Sequence, residues 1–181
     1  MLDRGGLVRD SEGRWVEGST LDWELLPSRV ESVNSAGIGR LAEPLQRALR
    51  VACVEGEVFT AEVVARVQAV GEQEMVDHLS GELDKKHRLV CAEGIVRMDR
   101  QRLSHYRFRH ILFQKYLYNS LDQVERVHLH EAVGNTLEAL YRGQAGATAP
   151  IAGQLAWHFQ EAGIARKAIH YLHQAGDRAV R

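Results

Sequence analysis

The chain has 181 residues, of which 45% are hydrophobic and 26% charged, with a formal net charge of -1. That length buries a real core in one or two domains, and that balance excludes a wholly disordered chain. A near-zero net charge also excludes any global pull toward nucleic acid or an anionic membrane. Cys53 and Cys91 lie far apart with no CxxC pattern, so each reads as a reduced, buried thiol and not as half of a disulfide or metal site. There is no charged-then-apolar leader and no run of ~18 apolar residues, so no membrane span and a cytoplasmic location are expected.

Residues 1–24 read as a polar hairpin and linker, with Leu7-Val8 and Trp15-Val16 on either side of the turn-forming Asp10-Ser-Glu-Gly13. After Pro27 a weak helix is expected to about residue 38, interrupted by Gly37 and Gly39. A stronger one spans 43–54, with Pro44 in its first turn and Leu45, Leu49, Ala52 and Cys53 on one face. Thr60 has the chemistry of an N-cap for a helix from Ala61. A helix over 72–86 carries Met75, Val76, Leu79 and Leu83 inward. Strands are expected at 88–91 with 95–98, and at 104–108, with turns at Glu93-Gly94 and 99–101. Helices followed by a small hairpin give the order of a winged helix-turn-helix over 25–120.

Helix resumes at 111 and runs to about 141, broken near Ser120-Leu121-Asp122, where Asp122 is placed to cap the second half. In that half Val124, Val127, Leu129, Val133, Leu137 and Leu140 read as core. Residues 121–149 thus form a helical linker that ends in small residues. Pro150 then opens a helix pair over 150–181, with Gly163 as the stop. Leu155, Ala156, Phe159 and Ala162 are expected to face Ala168, Ile169, Leu172 and Ala175. The pattern Ala156-x-x-Phe159-x-x-Ala162-Gly163-x-x-x-Lys167-Ala168-Ile169-x-Tyr171 resembles a tetratricopeptide pair, the alternative being a generic helical hairpin. Such a repeat does not bury its apolar face alone, so the expectation is a fragment of something longer. The fold class is therefore mainly α: a winged helix with a β-hairpin wing, a helical linker and the start of a solenoid.

In this order, six segments carry a resemblance to a known family: Gly13-Arg-Trp-Val16, Leu26-Pro27, Val54-Glu-Gly-Glu-Val-Phe-Thr-Ala-Glu-Val-Val-Ala-Arg66, Tyr106-Arg-Phe-Arg-His110, Arg126-x-x-Leu-His130 and Leu155-Ala-Trp-His-Phe-Gln-Glu-Ala162. Together they are similar to the arm of STAND-type signalling ATPases. In that family an AAA-like nucleotide-binding core leads into a winged helix and tetratricopeptide repeats, in some bacterial members fused to adenylate cyclase domains or forming transcriptional activators. The resemblance implies a regulatory, non-catalytic arm. Its ATP or ADP would be held by an upstream core, its partners being that core, a downstream repeat array and a protein bound by the repeats. No Gly-x-x-x-x-Gly-Lys-[Ser/Thr] occurs in the chain, so it has no phosphate cradle of its own.

The resemblance singles out His110. In related switch ATPases a histidine followed by x-Leu at the end of the winged helix contacts the β-phosphate of ADP, and His110-Ile111-Leu112 looks like that motif, with Ile111 where the family has aspartate. A strand-to-helix junction exposes backbone N–H groups, so an imidazole there suits a phosphate from a neighbouring domain. Arg107 and Arg109 add charge. The plainer alternative is that His110 caps a helix or satisfies a core carbonyl.

A DNA-binding module is the rival reading. Between 85 and 115 there are nine Lys/Arg (85, 86, 88, 97, 100, 102, 107, 109, 115) against Glu93 and Asp99. The helix in the recognition position instead carries Glu72, Glu74, Asp77, Glu82 and Asp84, and no Arg or Asn placed to read bases. The basic wing therefore suits an acidic protein surface or a nucleotide phosphate better than DNA. No catalytic residue or metal site is expected: His128-x-His130-Glu131 has Gly134 where a metalloprotease helix needs histidine, and His170 and His173 lack a third ligand. Glu57 with Glu62, and Asp77 with Glu82, read as solvated helix faces. Trp15, Trp23 and Trp157 read as structural anchors.

Overall fold

The computed structural model describes residues 7–9, 15–17, 38–98, 101–142 and 148–179. Strands β1 (Leu7–Arg9) and β2 (Trp15–Glu17) pair antiparallel with Val8 opposite Val16, as the turn composition between them leads one to expect. The helix expected before Ile38, Trp23 and most of the 143–149 segment lie outside the described residues.

Helix α1 (Glu43–Glu55) has Pro44 in its first turn, where a missing N–H removes no helical bond. Leu45, Ala48, Leu49, Ala52 and Cys53 are buried along it. Gly56, at φ 139°, ends it in a conformation that side-chain-bearing residues avoid. The chain then forms β3 (Val58–Thr60), α2 (Ala61–Val67) and α3 (Glu72–Asp77), which continues as π-helix over His78–Lys86. The hairpin β4 (Val90–Met98) and β5 (Gln101–Phe108) follows. β5 is the central strand, with β3 and β4 antiparallel on either side.

Three features of this half depart from the sequence reading, and the first is β3 itself, since Val58–Thr60 reads only as the approach to a helix. β4 is one continuous strand, because Glu93 is accommodated as a bulge between the pairs Ala92–Tyr106 and Gly94–His105 instead of making a turn. Thr60 holds the N-cap position of α2, but its hydroxyl makes no cap; it donates to Glu55 Oε1 at 2.7 Å. A buried carboxyl has no water to turn to, so it outcompetes the helix end for that hydroxyl. Met75, Leu79 and Leu83 are fully buried as the spacing requires. Phe59, Phe108 and Phe113 form a tilted chain with centroids 5.2 and 6.0 Å apart, tying β3 and β5 to the helix that follows.

Beyond the sheet come α4 (Ile111–Ser120), α5 (Gln123–Tyr141), a single 3-10 turn (Ala149–Ile151), α6 (Ala152–Glu161) and α7 (Ala165–Ala179). Asp122 caps α5 by accepting from Glu125 N at 2.8 Å, as expected. α5 packs against α1 and α2 on one side and against α6 on the other. Gly163, at φ 71°, closes α6, and Ile164 N–H reaches back to Phe159 O at 2.8 Å, the Schellman arrangement that lets α7 fold back. The fold is thus mainly helical with a small three-stranded antiparallel sheet, and one apolar cluster runs from Leu41 to Tyr171.

Three expected core positions face outward instead. Val124 is 67% exposed, Ile169 55% and Leu172 53%. Val124 sits in the first turn of α5, before that helix is covered. Ile169 and Leu172 lie on a face of α7 away from α6, where Phe159 stacks on Tyr171 with centroids 5.8 Å apart.

The α5–α6 crossing is close because Gly134 has no side chain. A Cβ there would lie 3.2 Å from both His158 Cβ and the Phe159 ring. Gly134→Val should therefore cost about 1–3 kcal/mol through overpacking, read as a lowered urea midpoint. An unchanged midpoint would mean that the helices separate freely at this point.

Candidate functional site

His110 sits where β5 hands over to α4, with extended backbone (φ -136°, ψ 123°), and its imidazole caps no helical N–H. It is exposed, as is Ile111 beside it at 41%. The backbone carbonyl of His110 accepts from Phe113 N at 3.0 Å, so its main chain opens α4 while its ring takes no part in the cap. The plainer reading, a helix cap, is not how this side chain is used.

The two arginines are engaged by the protein itself. Arg109 donates from Nε to Val90 O at 2.9 Å and from its terminal nitrogen to Asp84 at 2.6 Å, binding the end of the π-helical segment to the start of β4. Arg107 pairs with Glu93 at the bulge. The structure therefore brings all three residues to one end of β5 but gives each a different environment. Arg107 and Arg109, 46% and 40% exposed at the side chain, answer acids already present.

The basic hairpin is unevenly satisfied. Arg97 and Arg102 are direct cross-strand partners, both exposed, and neither makes an ion pair with a described residue. Like charges in that relation disfavour the pair modestly. On α3, Asp77 accepts from Gln73 at 3.1 Å, and on the π-helical segment Glu82 accepts from Lys86 at 2.9 Å, so these acids are engaged along their own helices. Glu62 overturns the expectation of a solvated face. It is buried, and its carboxylate accepts from Ser104 N at 2.8 Å, capping the stretch of β5 that β3 does not reach.

The most polar part of the core was not anticipated from the sequence. His130 on α5 and His158 on α6 are both fully buried, with their Nδ1 atoms 3.0 Å apart. His130 Nε2 lies 2.9 Å from the Tyr118 hydroxyl, and Trp157 meets the His130 ring edge-on at 4.8 Å. His158 Nε2 has no partner. Two neutral rings sharing one Nδ1 hydrogen allow two arrangements. If His158 donates, His130 Nε2–H reaches Tyr118 and the unpartnered His158 nitrogen is only a lone pair. If His130 donates, His158 is left with an orphaned N–H. The first arrangement is favoured, since orphaned donors are the rarer and costlier case. The signal lay in the sequence: His130 falls on the same stripe as Val133 and Leu137, and His158 on that of Leu155 and Phe159.

Burial, aided by the nearby Arg126 charge, holds the His130 imidazole down to about 4; burial, and then His130 itself, holds His158 down to about 3. Glu55 goes the opposite way. Burial pushes its carboxyl up to about 8, although the Thr60 hydrogen bond works against that, and its Oε2 is sealed without a partner. Cys53 is likewise pushed up to about 12, chiefly by burial, and is an inert thiol. Both cysteines are free, Cys53 buried and Cys91 half-buried. His170 and His173 are exposed. No group of three or more metal-ligating side chains occurs among the described residues, nor does any helix there have the length and apolarity to cross a membrane.

Comparison with protein-family models, with curated proteins and with solved structures finds no match.

These buried groups set the pH dependence of folding. The histidines bind protons more readily unfolded, so their contribution is complete above about pH 6.5 and is lost as pH falls toward 4 and then 3. Glu55 binds its proton more readily folded, so its contribution is complete below 4.5 and is lost as pH rises through 8. Urea midpoints should therefore decline on both sides of a mildly acidic optimum. Glu55→Gln should flatten the decline above pH 6.5 and steepen the rise between 4.5 and 6.5, and His158→Leu should reduce the acidic limb. Identical profiles for the wild type and both variants would contradict these protonation states.

Proposed function

We propose that the chain is a non-catalytic regulatory and protein-interaction arm, coupling the ATP or ADP state of a nucleotide-binding core to partner binding, as in the STAND-type ATPases it resembles. The observation that carries this reading is α5, which packs on α1 and α2 on one side and on α6 on the other. A displacement imposed on the sheet-bearing part therefore reaches the α6–α7 pair through packed side chains and not through a free linker. Two-state switches require such a contiguous element, and the ligand acts only through its different affinity for the two arrangements.

Further observations support it. The order α1, β3, α2, α3, β4, β5 is that of a winged helix, with the β4–β5 hairpin as wing. The α6–α7 pair buries Ala156 and Ala168 and turns at Gly163, features that a tetratricopeptide unit shares, and Ile169 with Leu172 leave an apolar stripe on α7 suited to a following repeat. His110 is exposed at the start of α4, open to a phosphate held by the core. Arg107 and Arg109 then serve to fix the geometry of that strand end, releasing charge only if Glu93 or Asp84 is displaced.

In a protein that joins this arm to its nucleotide-binding core, His110→Ala should speed ADP release roughly tenfold, the scale of one charge-assisted phosphate contact. Unchanged release would remove His110 from the mechanism. A titration with duplex DNA tests the rival reading. The proposal predicts no binding at low salt, whereas affinity falling steeply with salt would make the wing a DNA-binding element.

A further inference from the structure

A groove of about 590 Å³ opens among the described residues where α1, the α2–α3 turn, the start of the π-helical segment and the first half of α5 meet. Its volume is within the range of small-molecule sites, and its composition has their character: apolar walls with a few polar groups. Val51, Val67, Val70 and Leu129 supply the walls, and Arg47 and Arg50 stand over them. We infer that this groove binds a small amphipathic carboxylate, its head on Arg47 and Arg50 and its apolar body against the four aliphatic side chains.

Two observations point the same way. Arg50 is held in place by Glu125 at 3.0 Å, so one guanidinium is already oriented. Arg47 has only a 3.9 Å approach to Glu43 along its own exposed helix face, with side chains 62% and 80% exposed, a contact too long and too wet to satisfy it. Two further lining residues, Gln68 and His78, each keep a sealed nitrogen, Nε2 and Nδ1, with no hydrogen-bond partner. Both atoms are closed off from the groove surface, so the ligand's contacts are those with the arginines and the aliphatic walls. Glu74 and Glu125 also line the groove. Glu125 already pairs with Arg50 and Glu74 adds a second negative charge, which disfavours a multiply charged phosphate and leaves Arg47 to take a single carboxylate. This inference is independent of the regulatory reading, since it needs neither a nucleotide core nor a repeat array.

Octanoate and its neutral counterpart octanamide, titrated into the chain and followed by amide chemical shifts, provide the test. The expected result is saturable shifts at low-millimolar octanoate, confined to residues around 47–51, 67–70, 78 and 125–129, with octanamide several-fold weaker. Arg47→Ala, at an exposed site that leaves the fold intact, should weaken octanoate about fivefold to tenfold and leave octanamide unchanged. No saturation with octanoate, equal binding of the two compounds, or shifts centred on Ile169 and Leu172 would each overturn the proposal. So would unaltered octanoate affinity in the Arg47 variant.

Discussion

The contact between α5 and α6 is the constraint on which the rest of the structure depends. α5 is covered on two sides, by α1 with α2 and by α6, which is why it does not read as a simple amphipathic helix with one apolar stripe. Such a helix must let its neighbours approach closely, and Gly134 provides the space. At that approach two imidazoles meet at 3.0 Å with no water between them, and each must stay neutral to do so. One turn further, Glu138 accepts from Lys167 Nζ at 2.7 Å and from the Tyr171 hydroxyl at 2.7 Å, so α7 is drawn onto the same helix. Burial would raise the Glu138 carboxyl, but these hydrogen bonds outweigh it and hold it below its ordinary range. A small apolar hairpin that would not be stable alone thus becomes part of the larger core.

The same economy governs charge elsewhere. Arg109 and Arg107 are occupied by Asp84 and Glu93, and Glu62 closes a strand edge. Among the described residues, His110 at the head of α4, Arg97 and Arg102 on the hairpin and the Ile169–Leu172 stripe on α7 are exposed and not engaged in this way. These lie on different elements of one connected core.

Much of this organisation was legible in the sequence, and the exceptions have physical causes. Pro44 with Leu45 and Leu49, Met75 with Leu79 and Leu83, Asp122 as cap and Gly163 as stop all act as local chemistry dictates. β3 was missed because Val58-Phe59-Thr60 is three residues long and runs directly into a helix; only its pairing with Arg107, Tyr106 and His105 makes it a strand. Glu93-Gly94 looks like a turn, yet the strand continues through it as a bulge. Glu62 was placed in solvent because its need for a backbone N–H of β5 is tertiary. His130 and His158 each lie on an apolar stripe, but a sequence does not show that two such stripes will meet at their polar members. Of the candidate site, the positions of His110, Arg107 and Arg109 on one strand end were legible, whereas the acids that occupy both arginines were not.

The central claim is that α6 and α7 form one cooperative unit with the sheet-bearing part through α5. Native-state hydrogen exchange across a series of sub-denaturing urea concentrations measures this directly, because cooperative units open with a shared free energy. The account predicts that core amides of α1, β5, α5 and α6 merge onto a single opening free energy. Exchange of α6 and α7 at a distinctly lower free energy, with α1 and β5 still protected, would show the hairpin to be an independent appendage and contradict it.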